Sequence, residues 1–332
     1  DPADRRFHAE PNACPECGPR LALRDAAGEL LARDGDALAA AARAIRAGDV
    51  VAVKGIGGFH LIVDARNDAT VRRLRAAKRR PDKPFAVMFP TLGAVPQSCR
   101  LSASEAQLLT GAERPIVLLR RTGGDIAPAV APGHLRLGAL LPYAPVHHLL
   151  MDALGFPVVA TSGNHAEEPI VTDETEALAR LAGIADLFLV HDRPIVRPVD
   201  DSVVQVVCDG PQLLRRARGY APEPLAVAGV APGIFALGGH LKATVALTRT
   251  DGVVVSQHLG DLETPAARDG HVRAGIDLGR LHRTQPHRVA CDLHPEYASS
   301  MAAAGTGLPV VAVQHHVAHV AACMAENGAR PP

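Results

Sequence analysis

Tryptophan is absent from these 332 residues, there are only 7 Phe and 3 Tyr, and net charge is absent too, with 35 Lys plus Arg against 35 Asp plus Glu. Nucleic-acid-binding domains carry a basic excess, and sequence-reading RNA modules stack bases on aromatic rings. Both shortages count against an RNA-binding module, the double-stranded kind included. No run of eighteen apolar residues occurs, so no membrane-spanning helix is expected. The first twenty residues are charged and lack the apolar stretch of a secretory signal. Cysteine is scarce: of 6, only Cys14 and Cys17 lie close together, which fits a reducing cytoplasm better than a disulfide scaffold. The GxSxG elbow, HExxH and the GxxxxGK[ST] spacing are also missing, so neither covalent hydrolase chemistry, a zincin protease nor a P-loop is indicated.

What is there has the rhythm of two α/β units, as the length allows. Asp36 to Gly48 reads as a helix with an Asp as N-cap and Gly as its stop. "VVAVK" (50–54) is a β-branched strand, and "GIGGFHL" follows as a glycine-rich turn. Asp68 to Arg80 is helical, and helices over 102–111, 145–155 and 173–182 alternate with the short buried strands "FAVMF", "PIVLL", "PVVAT" and "LFLV". This is a mixed α/β domain with a twisted sheet, ending near Pro224. "EPLAVAGVAPG" (223–233) reads as a linker. Beyond it come strands paired around a "TDG" turn, a helix over 265–282, the strand "RVACDL", a short helix over 296–303, "PVVAVQ", and a helix over 316–327. The opening "DPADRRFHAEPNACPECGPR" is already mid-motif, and the chain reads as a piece of something longer.

The cations are clumped at 72–83, 114–121 and 193–218, a pattern that suits small anionic ligands better than a long polyanion. "KRRPDKPFAVMF" (78–89) crowds Lys78, Arg79, Arg80 and Lys83 round two prolines at the mouth of a buried strand. "KGIGGFHL" places Lys54 at a strand end before three glycines, which let backbone N–H groups approach an anion. "TSGNHAEEP" sets Ser162 and Asn164 around a glycine after a strand, where α/β sheets bind ligands. "HDRPIVRPVDDSVV" stiffens Arg193 and Arg197 with prolines, and "RRARGYAP" adds Arg215, Arg216 and Arg218; ion pairs with Asp200 and Asp201 are the plainer use of these arginines. Three rigid cation-bearing loops together suggest a site for a nucleoside triphosphate and a second anion. "CPECG" (14–18) is half of a zinc ribbon. In "QHHVAHVAACMAE" (314–326), His315 and His319 share one helix face at i, i+4, within reach of one cation, while His316 points elsewhere.

These segments, in order, resemble the hydrogenase-maturation carbamoyltransferase family, HypF. "DPADRRFHAEPNACPECGPRL" is similar to the end of its second zinc-finger repeat. "GDVVAVKGIGGFHL", "KRRPDKPFAVMFP", "LGALLPYAPVHHLLM", "VATSGNHAEEPIV", "HDRPIVRPVDDSV" and "RRARGYAPEPL" are similar to its YrdC-type domain. "ALGGHLKATVALT", "SQHLGDLE", "CDLHPEY" and "VQHHVAHVAACMAE" are similar to the start of its Kae1-type domain. The resemblance implies an α/β chain: a zinc-finger remnant (1–30), an α+β YrdC-like twisted mixed sheet (34–222), a linker (223–233), and a partial actin-like, Kae1-like α/β domain (234–332).

It further implies carbamoyl phosphate and ATP with Mg as substrates, a carbamoyl-adenylate intermediate, and the C-terminal cysteine of HypE as acceptor. Lys54, Lys83 and Arg197 would act in catalysis, and Lys78, Arg79, Ser162, Asn164 and Arg218 would hold nucleotide or carbamoyl. His315 and His319 would bind a divalent metal, zinc or iron, and Cys14 and Cys17 a structural zinc. The family's acylphosphatase domain and most of its Kae1-type domain have no counterpart here, so this chain alone is expected to adenylate carbamate at best. The YrdC-type motifs alone would also suit a threonylcarbamoyl-adenylate synthase of tRNA modification; the half-finger before them and "HHVAH" after them argue against it.

Overall fold

The computed structural model describes residues 18–165 and 168–329. Cys14 and Cys17 lie outside the described residues. Two compact units divide the chain: Ile170–Pro198 and Val204–Gln212 belong to the first with most of what precedes them, Val199–Val203 and everything from Leu213 to the second.

The strands that build the first sheet are β1 (Leu21–Asp25), β2 (Leu30–Arg33), β3 (Val51–Lys54), β4 (Phe59–Asp64), β5 (Ala86–Met88), β6 (Ile116–Arg120), β7 (Arg136–Leu140), β8 (Val158–Ser162), β9 (Leu187–His191), β10 (Val203–Val207) and β11 (Gly210–Arg215). Among them lie α1 (Asp34–Ala47), α2 (Asp68–Ala77), α3 (Ala103–Thr110), α4 (Pro145–Leu154) and α5 (Glu174–Leu181). The strand order is β11-β10-β6-β7-β5-β8-β4-β3-β9-β1-β2. It is a mixed sheet: β3 runs parallel to β9 and β5 to β7, while β4 is antiparallel to both β3 and β8.

The central strands β3, β4 and β8 are buried at nearly every position because both faces are covered, and alternate residues serve different cores. Ala52, Phe59, Leu61, Val63 and Val159 join α2, α3 and α5 through Val71, Leu74, Leu109, Ala177 and Leu181. Val51, Val53, Ile62, Val158 and Ala160 join α1 and α4 through Ala37, Ala41, Ile45, Val146, Leu150 and Leu154. Each helix turns a buried stripe to the sheet. In α1 the stripe is alanine-rich, at Ala37, Ala41, Ala42, Ala44 and Ile45, which lets the helix lie close.

Where expectation and structure part, local causes are visible. Helix α1 begins at Asp34, two residues early; its N-cap position is Arg33, which makes no side-chain cap, and Asp34 and Asp36 fall in the first turn beside the dipole's positive end. Helix α2 stops at Ala77 rather than Arg80, because Arg79 takes a left-handed φ of 50° just before the residue that precedes Pro81. "GIGGFHL" is a turn only over its glycines, since Phe59 already opens β4. Strands β1, β2, β4, β7 and β11 were not foreseen. Residues 21–33 thus join this sheet, through pairing of β1 with both β2 and β9.

The second unit contains β12 (Pro224–Leu225), β13 (Ile234–Ala236), β14 (Ala246–Arg249), β15 (Gly252–Val255), α6 (Pro265–Leu281), β16 (Arg288–Asp292), α7 (Ala298–Ala304), β17 (Val310–Val313) and α8 (His315–Glu326). Its sheet runs β12-β15-β14-β13-β16-β17, with β13, β16 and β17 parallel. Pro224–Leu225, within the stretch read as a linker, pairs with β15. The core gathers Leu237, Val245, Leu247, Val254, Leu278 and Val289. Gly275 of α6 meets Phe235, where a Cβ would stand 2.3 Å from the ring.

Gly163, just past β8, donates its N–H to the Phe59 carbonyl at 2.6 Å, and a Cβ there would lie 2.7 Å from Phe59 Cβ and 2.9 Å from its carbonyl oxygen. Gly163→Ala is expected to lower the unfolding free energy by about 1–3 kcal/mol, read from urea denaturation. Stability equal to the parent chain would refute this close approach of β4 and β8.

Candidate functional site

Strand direction gathers the first unit's candidate residues. Strand β4 starts where β3 and β8 end: Phe59 pairs with Lys54, and His60 with Ser162. Because β9 is parallel to β3, its last residue, His191, comes to the same edge. The glycine loop between β3 and β4 closes with Gly55 N–H donating to the Gly58 carbonyl at 2.9 Å. Its neighbours crowd the positions of Gly55 and Gly58, while Ile56 between them turns its side chain outward. A Cβ on Gly55 would lie 3.3 Å from His60 Nδ1 and 3.6 Å from His147 Nε2, and one on Gly58 would lie 2.4 Å from Ile170 Cδ1. Phe59 N–H donates to the Val171 carbonyl and Val171 N–H to the Gly163 carbonyl, each at 2.9 Å, so the loops after β3 and β8 are stitched together.

Two amines are buried at this edge. Lys54 is 6% exposed and donates to the His191 carbonyl at 3.0 Å. Burial pushes its pKa down, partly offset by Glu174, Asp173 and Asp192. Lys78, 2% exposed at the C-cap of α2, donates to the carbonyls of Ser162 at 2.5 Å and Asn164 at 2.8 Å, and to Asn164 Oδ1 at 3.0 Å. Ser162 Oγ donates to the same Oδ1 at 2.8 Å. The structure therefore brings Lys78, Ser162 and Asn164 into one hydrogen-bonded group. Behind the glycine loop His60, Tyr143 and His147 pack edge to face, with Tyr143 OH 3.3 Å from His60 Nε2. His191 Nε2 lies 3.3 Å from the Gly55 carbonyl, and burial first, then Lys54, lowers its pKa.

The other expected residues differ from these in burial, unit or partner. Arg79, Lys83 and Arg197 are exposed. Arg79 borders an open hollow of about 330 Å³ with Arg72, Arg75, Ala76, Arg80 and Pro81, and neither Ser162 nor Asn164 is in its wall. Arg218 falls in the second unit, buried, with Nε and Nη2 both on Asp201 Oδ1 at 3.0 and 2.9 Å. Arg215 binds Asp200 at 2.6 Å. These two arginines thus take the plainer use: a buried guanidinium needs a partner, and the adjacent acids supply it.

In the second unit parallel pairing sets Asp292, at the end of β16, against Val313 of β17, two residues before His315. His315 Nδ1 lies 2.6 Å from Asp292 Oδ2, and His315 Nε2 lies 3.1 Å from His319 Nε2. Two ring nitrogens on one tetrahedral zinc stand about 3.3 Å apart, so this pair fits a divalent metal. A carboxylate on Nδ1 fixes the tautomer that leaves Nε2 free to ligate. Burial raises the Asp292 carboxyl's pKa, but the N–H of His294 and the ring of His315 outweigh it and hold the pKa below the usual range. Nearby, Tyr297 stacks between His294 and His240, at 4.3 and 5.5 Å. Spacing alone showed the histidine pair; Asp292, 23 residues upstream, was visible only as part of "CDLHPEY".

Together these features define a YrdC-type α/β domain in a chain that continues into a Kae1-like α/β unit. Family models match in that order: the HypF finger over residues 1–24, the Sua5–YciO–YrdC model, described as telomere recombination, over 43–217, and the HypF Kae1-like domain over 230–326. The chain belongs to the Sua5–YciO–YrdC family, and as a whole it carries the domain order of the HypF carbamoyltransferases. It is 46% identical over 98% of its length to carbamoyltransferase HypF of Rhodobacter capsulatus, covering 44% of that protein. The Synechocystis sp. HypF is 48% identical over 93% of the chain, with 40% of that protein covered. The crystal structure of full-length HypF in the phosphate- and nucleotide-bound form superposes with a TM-score of 0.92 at 43% identity, over 100% of this chain and 43% of that one. The P. abyssi Sua5 complex with L-threonine, at 16% identity and a TM-score of 0.53, shares the fold alone. The chain spans less than half the length of the HypF proteins it matches. The finger and Kae1-like matches fit zinc and ATP binding in general. No helix among the described residues is long and apolar enough to cross a membrane.

An anion bound against the Lys54 amine favours its charged form, so binding takes up a proton wherever the pH exceeds the free amine's lowered pKa. Affinity for ATP, measured by calorimetry, is therefore expected to fall as the pH rises past the free amine's lowered pKa, and Lys54→Arg to flatten the fall; a flat profile in the parent chain would contradict this. For the histidine pair, one divalent transition metal is expected per chain once Cys14 and Cys17 are changed to serine. Competition with a chromophoric chelator should show Asp292→Asn weakening it about 10–100-fold. Unchanged affinity would mean that Asp292 does not orient the ligand.

Proposed function

We propose that the YrdC-like part, residues 34–222, condenses carbamate with ATP·Mg to carbamoyl-adenylate and pyrophosphate. The Kae1-like part, residues 234–332, would contribute nucleotide and divalent-metal binding to transfer of the carbamoyl to the C-terminal cysteine thiol of HypE. In the full-length protein the carbamate derives from carbamoyl phosphate, and Cys14 and Cys17 hold a structural zinc. The observation that carries the reading is the burial of the Lys54 and Lys78 amines on carbonyl oxygens at one strand edge, beside Ser162, Asn164 and a loop crowded at Gly55 and Gly58.

A carbamate oxygen attacks the α-phosphorus, the bond from that phosphorus to the α,β-bridging oxygen breaks, and pyrophosphate leaves with the bridging oxygen. Negative charge gathers on the phosphoryl oxygens, and fixed cations stabilise it without reorganising. Lys54, Lys83 and Arg197 are assigned to that charge, Ser162 and Asn164 to the acyl group, and Arg79 to the phosphates. Lys78, engaged with Ser162 and Asn164, acts by holding them in place. Arg218 is left out, because its guanidinium is taken up by Asp201. At His315 and His319 a bound zinc or iron would supply Lewis acidity.

ATP–pyrophosphate exchange is expected with ammonium carbamate and not with threonine plus bicarbonate, and Lys83→Ala is expected to lower kcat/KM by about 10²–10³. Exchange driven by threonine plus bicarbonate alone would move the chain to the threonylcarbamoyl-adenylate synthases. Full carbamoylation of HypE by this chain alone would overturn the division of labour between adenylation here and completion elsewhere.

A further inference from the structure

Helix α2 buries Thr70, Val71, Leu74 and Arg75. The last is a cation on the core stripe, 8% exposed, where an apolar residue would avoid the cost of desolvation. Its hydrogen bonds all go to carbonyl oxygens, from two separate segments. Nη1 donates to Arg80, Pro81 and Lys83 at 2.6, 3.1 and 3.1 Å, within the cation-bearing loop. Nε and Nη2 donate to Ala129 at 3.0 and 2.7 Å, and Nη2 to Val130 at 3.2 Å, in the segment before β7. The guanidinium also lies 4.5 Å from the centre of the Phe85 ring, which Arg80 approaches at 5.1 Å. Among the described residues Arg75 makes no ion pair; burial pushes its pKa down, with Asp82 only partly offsetting.

This arrangement does two things that a leucine would not. It draws three carbonyls of residues 80–83 inward, where Pro81 offers no N–H and Arg79 is left-handed, and so fixes how the loop presents the outward side chains of Arg79 and Lys83. Carbonyl dipoles also stabilise the charge without cancelling it, so a positive centre remains behind the loop.

We propose that Arg75 is a positioning residue for the loop 78–83, holding it in the form that grips the anionic substrate. The claim rests on the reading of this loop as part of the adenylating site. Arg75→Lys keeps the charge and loses the planar fork; Arg75→Gln loses both. In the whole chain, amide hydrogen exchange over 79–83 is expected to speed up about tenfold in Arg75→Lys, with β3, β4 and β8 unchanged. In carbamate-dependent ATP–pyrophosphate exchange, KM for ATP should rise about tenfold with kcat within about threefold, and Arg75→Gln should raise KM further.

Unchanged exchange over 79–83 would overturn the proposal. So would lost protection spreading through the sheet while apparent kcat falls and KM stays the same, the mark of a residue that only fills the core. If neither variant folds, Phe85→Leu removes only the ring beneath the guanidinium; faster exchange confined to 79–83 supports the proposal and unaltered exchange rejects it. A parent chain without carbamate-dependent activity would sink the adenylation reading, and the exchange measurement would still decide the role of Arg75.

Discussion

Cations that are buried on carbonyl oxygens set the character of the first unit. Lys54 rests on His191, Lys78 on Ser162 and Asn164, and Arg75 on five carbonyls of two segments. A carboxylate would satisfy each of them equally well, but it would also neutralise them. Carbonyl dipoles lower the cost of burial and leave the charge to act on whatever binds nearby. That is how a chain with no net charge can concentrate positive potential at one strand edge. The contrast lies within the same molecule: Arg73 pairs with Asp186 and Arg72 with Asp68, on the surface, where such pairs contribute little.

The glycines at this edge follow from the same crowding. Gly55 faces two histidine rings, Gly58 faces Ile170 and Gly163 faces Phe59, so backbone takes the space that side chains would fill. Amide groups and short polar side chains are then what the edge presents, and a small polar acyl group is what such a surface can surround. In the second unit the logic is different: a carboxylate at a strand end orients one ring of a histidine pair, a geometry suited to holding a metal rather than an anion.

Much of this could be read from residue order, though not evenly. Long amphipathic stripes and β-branched runs gave the helices and most central strands to within a few residues, since each carries its own periodicity, while β4 was hidden behind the glycine turn that leads into it. Strands β1, β2, β7 and β11 escaped because sequences such as "RLGAL" alternate too weakly to stand out, and only pairing with neighbours makes them strands. Lys54, Lys78, Ser162 and Asn164 were legible as candidates from their glycine and proline surroundings. That Lys78 serves the Ser162 loop, while Arg79 borders another hollow, depends on where α2 stops, and a left-handed residue decided that.

Local spacing along the chain encodes the two α/β units, the order of their motifs, the half zinc ribbon and the histidine pair, so each can be read from residue order. Packing settled which cations have a carboxylate beside them. Arg75 and Arg218 look alike on the page, yet one is held by carbonyls and the other by a carboxylate. The difference lies in which backbone or side chain, distant in sequence, packing brings within hydrogen-bond reach.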